Sequence, residues 1–342
     1  MNNNKGTEIA TLGEFGLVER LTRRLVQRNT STLMAAGDDA AVIDLGSELM
    51  LLTTDMLTEG IDFDLSYFPL KHLGYKAMVR GINDILAMNA FPEQIVVALG
   101  ISAKITVEAL DDLYEGMEAA CKEYGVDLVG GDTTASINGL IITISAVGRA
   151  AKESVVYRSG AKEHDLICIT SNLGAAYMGL HLLEREKRVL KDVANPEPKF
   201  AGYEYLLERY LKPRARINVL KALSEAGIRP TSMIDLSDGL ASDLRQICLS
   251  SHCGARIYLE RIPIARQTSE LAEEMHIDPV VAALNGGEDH ELMFTVPLSM
   301  QDKIMALGLV DVIGHITREE AGVVLVTPDG EGIALKAQAF DR

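Results

Sequence analysis

The stretch IDLSDGLASDL, residues 234–244, holds two carboxylates, Asp235 and Asp238, with the hydroxyl of Ser237 between them. The apolar residues before it predict the end of a buried strand, and the apolar residues that recur after it at helical spacing predict a helix. Gly239 allows the backbone to approach a ligand closely at this junction. Because Asp and Ser are also common helix caps, this stretch alone fits either a metal and phosphate site or an ordinary cap.

An acid next to glycine or a hydroxyl recurs along the chain. These segments are Gly37-Asp38-Asp39, Thr53-Thr54-Asp55, Asn83-Asp84, Gly130-Gly131-Asp132-Thr133 and Gly286-Gly287-Glu288-Asp289. Carboxylates that crowd together resist ionisation unless cations lie among them. Carboxylate and hydroxyl oxygens suit Mg²⁺, whereas no set of His or Cys has the spacing of a zinc site. The sequence therefore predicts several Mg²⁺ ions near Asp39, Asp55, Asp84, Asp132, Asp235 and Asp238.

Length and composition limit the class of protein. The chain has 342 residues, of which 47% are hydrophobic, so it can form two packed domains. A net charge of -16 argues against a nucleic-acid partner, which would need a basic face. The polar start has no signal-peptide core, and the longest apolar run is too short to span a membrane. Sparse cysteines fit a reducing compartment, so we expect a cytoplasmic protein without a membrane partner.

Strand-like and helix-like runs alternate in both halves of the chain, which predicts an α/β fold with α+β layers. We expect two domains, 1–150 and 151–342. The strands predicted at 50–52 and 126–129 end at Thr53-Thr54-Asp55 and at Gly130-Gly131-Asp132. Paired glycines after a strand can turn backbone N–H groups toward an anion, although they also form ordinary turns.

Asp84 lies in a predicted helix that begins at Pro69 and is otherwise largely apolar. A charged group in such a helix needs a partner. Arg80, four residues earlier, can supply one through a helical ion pair. Local sequence therefore leaves two alternatives open for Asp84, a pair with Arg80 or a bond to metal.

Several Mg²⁺ ions together with glycine-rich segments indicate phosphoryl transfer, in which the protein positions the reactants and neutralises charge. The chain has no Gly-x-x-x-x-Gly-Lys-Ser/Thr loop, no Gly-x-Gly-x-x-Gly opening and no His-Arg-Asp kinase element. If ATP is the donor, another fold must bind it.

The ordered motifs, with Gly13-Glu14-Phe15 and residues 158–162 (RSGAK) added, give the sequence a family resemblance over nearly its whole length. It resembles the thiamine-monophosphate kinases, which share a superfamily with aminoimidazole ribonucleotide synthetase. The resemblance implies a two-domain aminoimidazole ribonucleotide synthetase-like fold. It also implies transfer of the γ-phosphoryl group of ATP to thiamine monophosphate, which gives thiamine diphosphate.

The resemblance also implies roles for single residues and domains. Domain 1–150 would bind metal and ATP and form a homodimer, and domain 151–342 would complete the active site. The implied Mg²⁺ ligands are Asp39, Thr53, Thr54, Asp55, Asp84, Asp132, Asp235 and Asp238. The implied ATP contacts are Tyr114, Gly131, Asp132, Arg158 and Ser237, and the implied substrate contacts are Asp62, Glu288 and Phe340. No catalytic residue is expected beyond the metal ligands, because a phosphate monoester is already largely dianionic at neutral pH.

The chain departs from the family pattern near the expected acceptor. Asp62 stands where the family commonly has His, and His290 stands where it has Tyr. Two alternatives therefore stay open beside the kinase. One is an ATP-dependent ligase or cyclase of the same superfamily, which releases ADP and phosphate. The other is an idle regulator that binds nucleotide without consuming it.

Overall fold

The computed structural model describes residues 13–23, 26–191 and 198–336. The first part of the chain contains α1 (Gly13–Thr22), β1 (Thr32–Met34), β2 (Ala41–Asp44), β3 (Leu49–Thr58), α2 (Leu70–Ala87), β4 (Phe91–Ser102), α3 (Val107–Tyr124), β5 (Asp127–Ser136) and β6 (Ile141–Ala150). Alternating strands and helices confirm the predicted α/β class.

The second part of the chain forms its own sheet and helices. It contains β7 (Leu166–Thr170), α4 (Ala175–Leu190), α5 (Glu204–Leu211), α6 (Ile217–Glu225), β8 (Ser232–Leu236), α7 (Leu240–Ser251), β9 (Cys253–Tyr258), α8 (Arg266–Glu274), α9 (Pro279–Asn285), β10 (Glu291–Val296), α10 (Gln301–Leu307), β11 (Val310–Arg318), β12 (Val323–Val326) and β13 (Gly332–Ala334). No helix of the described ranges combines the length and apolarity needed to cross a bilayer.

The strands form two mixed sheets. The first has the order β1-β2-β3-β6-β4-β5, in which only β4 and β5 are parallel. The second has the order β13-β12-β9-β11-β7-β10-β8. One apolar core extends from the first sheet across α2 to β8 and β10 of the second sheet. The two sheets therefore meet at α2, and the division at residue 150 stays a prediction.

Helix α2 covers one face of the first sheet and packs on α3. Close packing of the two helices requires glycine, because a Cβ on Gly74 would lie 2.0 Å from the carbonyl oxygen of Leu113. The opposite face of the sheet carries apolar side chains that remain exposed. Leu52, Met56 and Val96 on that face are 39%, 61% and 42% exposed.

Two predicted strand ends are wrong. β3 continues through Thr53-Thr54-Asp55 to Thr58, because all ten of its residues pair with β6. β5 continues through Gly130-Gly131-Asp132 to Ser136. The glycines fit a bulge and a close approach of two strands, since a Cβ on Gly131 would lie 1.8 Å from the Val97 carbonyl oxygen. Gly130-Gly131 is therefore not the anion-binding turn that the sequence suggested.

Candidate active site

A cleft of about 760 Å³ lies where β3, α2, the end of β8 and the loop before β10 meet. Most of the acids predicted from the sequence line it. They are Asp39, Asp55, Asp84, Asp235, Asp238 and Glu288, and they are joined by Thr53, Thr54, Arg158 and Ser237. The tertiary structure thus gathers side chains from both halves of the chain, from Asp39 to Glu288.

The stretch 234–244 forms the end of β8 and the start of α7. Asp235 is 5% exposed and accepts a hydrogen bond from Ser237 Oγ at 3.3 Å. The residue that caps α7 is Gly239, which has no capping side chain, and its N–H donates to Asp243 Oδ2 at 3.1 Å. Asp235 is therefore a strand residue that lines the cleft, and the cap interpretation does not apply to it.

Arg158 neutralises the acids of the Gly37-Asp38-Asp39 segment. Its Nη2 donates to Asp39 Oδ1 at 2.7 Å, and its backbone N–H donates to Asp38 Oδ2 at 3.1 Å. Burial and the neighbouring Asp39 carboxylate raise the pKa of Asp38 to about 7. Asp38 is a cleft residue that belongs to a predicted motif, yet sequence reasoning assigned it no role.

Asp84 is not paired with Arg80, so that alternative for Asp84 is wrong. Its Oδ2 accepts a hydrogen bond from Thr53 Oγ1 at 2.6 Å. Arg80 instead contacts Asp55 at 3.4 Å and Asp62 at 3.2 Å. Four-residue spacing permits an ion pair within a helix, but here the guanidinium of Arg80 contacts acids from β3 and from the loop that follows β3.

The carboxylates in the cleft repel one another. Burial, followed by Asp55, Asp235 and Asp39, raises the pKa of Asp84 well above its ordinary value. Burial and then Asp39 raise the pKa of Asp235 to about 8. Divalent cations bound among these carboxylates would relieve this repulsion and favour their ionised forms.

The cleft also meets the requirements of a magnesium site. Asp55 Oδ2 is buried without a hydrogen-bond partner, which leaves it available as a ligand. Within the described ranges, no three His, Cys, Asp or Glu side chains form a preformed metal cage. Mg²⁺ commonly binds through one or two carboxylates plus water and substrate phosphates, so an open arrangement of acids fits this ion.

Some predicted site residues lie away from the cleft. Gly131 and Asp132 belong to the exposed edge strand β5, and Tyr114 on α3 is 41% exposed. Thr54 points to the sheet face opposite Thr53, although it reaches the cleft next to the beginning of β2. Phe340 lies outside the described residues.

Glu288 lines the cleft beside Arg80, whereas Asp62 contacts the same arginine without lining the cleft. Neither Arg80 nor Lys76 was predicted to bind substrate. Lys76 Nζ lies 2.7 Å from Glu288 Oε2 and 4.0 Å from the centre of the Tyr210 ring. Against the effect of burial, Lys76 lowers the pKa of Glu288 well below its ordinary value. The spacing of Lys76, Arg80 and Asp84 by four residues was the available signal that one face of α2 lines this site.

The raised pKa values predict how the metal-free protein responds to pH. A carboxyl group with a raised folded-state pKa contributes stability below its unfolded pKa, and this contribution is lost as pH rises through the folded value. For Asp235 the window runs from 3.8 to about 8. We expect the melting temperature without metal to fall between about pH 4 and pH 8, and Mg²⁺ to restore it most at the alkaline end of this window.

Scanning calorimetry of the chelated protein, with and without MgCl₂, measures this effect. NaCl at equal ionic strength is the control for general screening. A melting temperature that stays constant over this window and does not respond to Mg²⁺ would contradict the prediction.

Comparisons with known proteins agree with this geometry. The family described as AIR synthase related protein, N-terminal domain, matches residues 37–150, and the corresponding C-terminal domain matches residues 162–329. The chain is 33% identical to the thiamine-monophosphate kinase of Escherichia coli, over 96% of this chain and 98% of the relative. It is 30% identical to the Bacillus subtilis enzyme of that name, over 97% and 99%.

Solved structures give the same result. The structure of AaThiL complexed with AMPPCP and TMP matches with a TM-score of 0.81 and 29% identity, and the match covers 96% of this chain and 97% of that one. The hydrogenase maturation protein HypE, at 18% identity and a TM-score of 0.68, shares the fold. The expected two-domain fold is confirmed, and the chain belongs to the thiamine-monophosphate kinase family.

Proposed function

We propose that this chain transfers the γ-phosphoryl group of ATP to thiamine monophosphate, which yields thiamine diphosphate and ADP. The observation that carries the proposal is the cleft in which mutually repelling carboxylates face two arginines. Support comes from relatives named thiamine-monophosphate kinase and from the related structure that holds AMPPCP and TMP. Because ATP is a cytoplasmic substrate, we expect the reaction in that compartment.

Asp39, Asp55, Asp84, Asp235 and Asp238 are the proposed ligands of more than one Mg²⁺. Bound there, the ions would neutralise charge on the phosphates and orient them. Arg158 already contacts Asp39, so it can exchange that carboxylate for nucleotide phosphate once cations arrive. Ser237, next to Asp235 at the start of α7, is proposed to contact the nucleotide as well.

The chemistry needs little acid or base assistance. An oxygen of the acceptor phosphate attacks the γ-phosphorus, the bond from that phosphorus to the β-phosphate oxygen breaks, and ADP leaves. The acceptor is largely dianionic, so no proton has to be removed from it. The protein must hold the two polyanions in line and offset their repulsion. The acids would do this through the ions that they bind, and the arginines through direct contact with the phosphates.

Product analysis tests the proposed function. Protein, MgATP and thiamine monophosphate should give equal amounts of ADP and thiamine diphosphate, as measured by phosphorus NMR. Release of ADP with inorganic phosphate would instead favour the ligase or cyclase, and nucleotide binding without turnover would favour the regulator. Folded protein that gives neither product would reject the proposal.

We also propose that the chain forms a homodimer through the uncovered face of its first sheet. Leu52, Met56 and Val96 are exposed apolar side chains on this face, which also carries the polar pair Thr54 and Ser145, and β5 offers an unpaired edge beside them. A sheet face of this kind is typical of a surface that another chain covers. Asp132 and Gly131 lie on the adjoining strand, so a second copy would bury them near its own first sheet.

Val96→Lys tests the homodimer. A lysine on this face, one strand in from the β5 edge, would lose its hydration on association, so the variant is expected to sediment as a monomer at concentrations where the parent chain is a dimer. Val107→Lys is the matched control, since Val107 is 69% exposed on α3. Equal sedimentation of both variants and the parent would refute an interface on this face.

A further inference from the structure

Arg80 is a loosely held cation in the cleft. Its side chain is 16% exposed, and Nη1 lies 3.2 Å from Asp62 Oδ1 and 3.8 Å from Glu288 Oε1. Nη2 lies 3.4 Å from Asp55 Oδ1. Strong contacts between guanidinium and carboxylate are shorter, about 2.7–2.9 Å, and Arg158 makes one at 2.7 Å. Arg80 therefore has donor capacity that its present partners do not use.

Two of the three carboxylates around Arg80 have a second partner. Asp62 Oδ2 accepts a hydrogen bond from a backbone N–H of β3 at 2.7 Å. Glu288 is paired with Lys76 at 2.7 Å. Asp55 is a proposed metal ligand. Asp62 and Glu288 thus keep a partner when the guanidinium turns to another anion, and only Asp55, the proposed metal ligand, would need its ion in place of Arg80.

The position of Arg80 on α2 indicates which anion it meets. Lys76, Arg80 and Asp84 are four residues apart and lie on one helix face, so successive side chains start about 6 Å apart along the axis. Asp84 marks the metal end of this row. Lys76 marks the other end, where it is 1% exposed and lies over the Tyr210 ring, out of reach of a ligand in the cleft. Arg80 is the accessible cation between the two.

We propose that Arg80 binds the phosphate group of the acceptor and holds it beside the transferred phosphoryl group. The inference rests on the proposed function and adds a specificity residue to it. A guanidinium presents a planar fork that can donate to two phosphate oxygens, whereas an ammonium group cannot match this geometry. Arg80 therefore selects phosphorylated over unphosphorylated acceptors.

Calorimetric titration with thiamine monophosphate and with thiamine tests this role without relying on turnover. The ratio of the two affinities isolates the contribution of the phosphate. In Arg80→Gln we expect the affinity for thiamine monophosphate to fall about 10- to 100-fold while the affinity for thiamine stays the same. Arg149→Gln is the matched control, because Arg149 is a half-exposed arginine with two carboxylate partners at the end of β6.

The alternative role for Arg80 is to neutralise Asp55, Asp62 and Glu288 in the folded protein. In that case Arg80→Gln would lower the affinities for both ligands equally, or lower neither, and an unchanged ratio overturns the proposal. Arg80→Lys provides the same comparison in a variant that keeps the charge, and we expect most of the phosphate contribution to be lost. If the parent chain binds neither ligand and makes no thiamine diphosphate, the proposed function fails instead.

Discussion

Asp235→Asn is expected to lower kcat by about 10²- to 10³-fold or more, because it removes an anionic ligand from the place where the phosphate charges must be neutralised. The same substitution should raise the melting temperature of the metal-free protein by about 2–4 °C. Asparagine keeps the shape of the side chain, and it removes a group whose ionisation is opposed by burial and then by the neighbouring Asp39. Opposite effects on turnover and on metal-free stability distinguish a metal ligand from a structural carboxylate.

Asp112→Asn is the control, since Asp112 is exposed on α3. This variant should change neither kcat nor the melting temperature of the metal-free protein. Steady-state kinetics with saturating MgATP and calorimetry of the chelated protein give the two measurements. An Asp235→Asn protein that turns over at the parent rate, or that melts at a lower temperature without metal, would contradict the assignment of Asp235 as a ligand.

Glu291→Ala should have the largest effect on stability. Glu291 is fully buried, with Arg209 Nη1 at 2.6 Å from Oε1, Thr170 Oγ1 at 2.5 Å from Oε2, and Arg216 also in contact. Removal of the carboxylate leaves the guanidinium of Arg209, itself 9% exposed, without its main counterion. Loss of one partner of a buried ion pair costs about 3–5 kcal/mol in the free energy of unfolding.

This ion cluster also supports the candidate site. Arg209 lies 3.8 Å from Asp289, which accepts hydrogen bonds from the N–H groups at the start of α4. Glu288, which precedes Asp289 in the same loop, is therefore held in place by the same contacts. We expect a weaker affinity for thiamine monophosphate in those Glu291→Ala molecules that remain folded.

Urea denaturation of Glu291→Ala and of the control Glu270→Ala compares the loss of a buried ion pair with the loss of an exposed one. Glu270 pairs with Arg266 at 2.7 Å on the surface of α8, where such a contact contributes at most about 1 kcal/mol. Equal losses in the two variants would show that burial adds nothing to the Glu291 cluster.

The sequence was most informative where the chemistry of a motif is local. Asp235 and Ser237 at the end of a strand, followed by Gly239 at the start of a helix, can be predicted from apolar periodicity and from the permissive backbone of glycine. The structure has the strand and the helix at these residues. The family resemblance was also confirmed, because it rests on the order of many such motifs.

The sequence was least informative where the conformation of a segment depends on pairing with neighbouring strands. Thr53-Thr54-Asp55 contains no apolar residue and predicted a strand end, but pairing with β6 keeps it extended. Gly130-Gly131 predicted a turn, but close approach of β4 and β5 needs glycine within a strand. Backbone hydrogen bonds to a distant segment outweigh local propensity in both cases.

By itself, the sequence determined the alternation of strands and helices, the excess of acids and the residue types that suit magnesium and phosphate, since these depend on local pattern and side-chain chemistry. Only the tertiary structure decided that Asp132 lies on an outer strand, that Arg80 faces Asp62 rather than Asp84, and that Lys76 is buried behind Glu288. The physical reason is that charge interactions act over a few ångströms in space. Residues that are far apart in sequence become neighbours only when the two sheets close around α2.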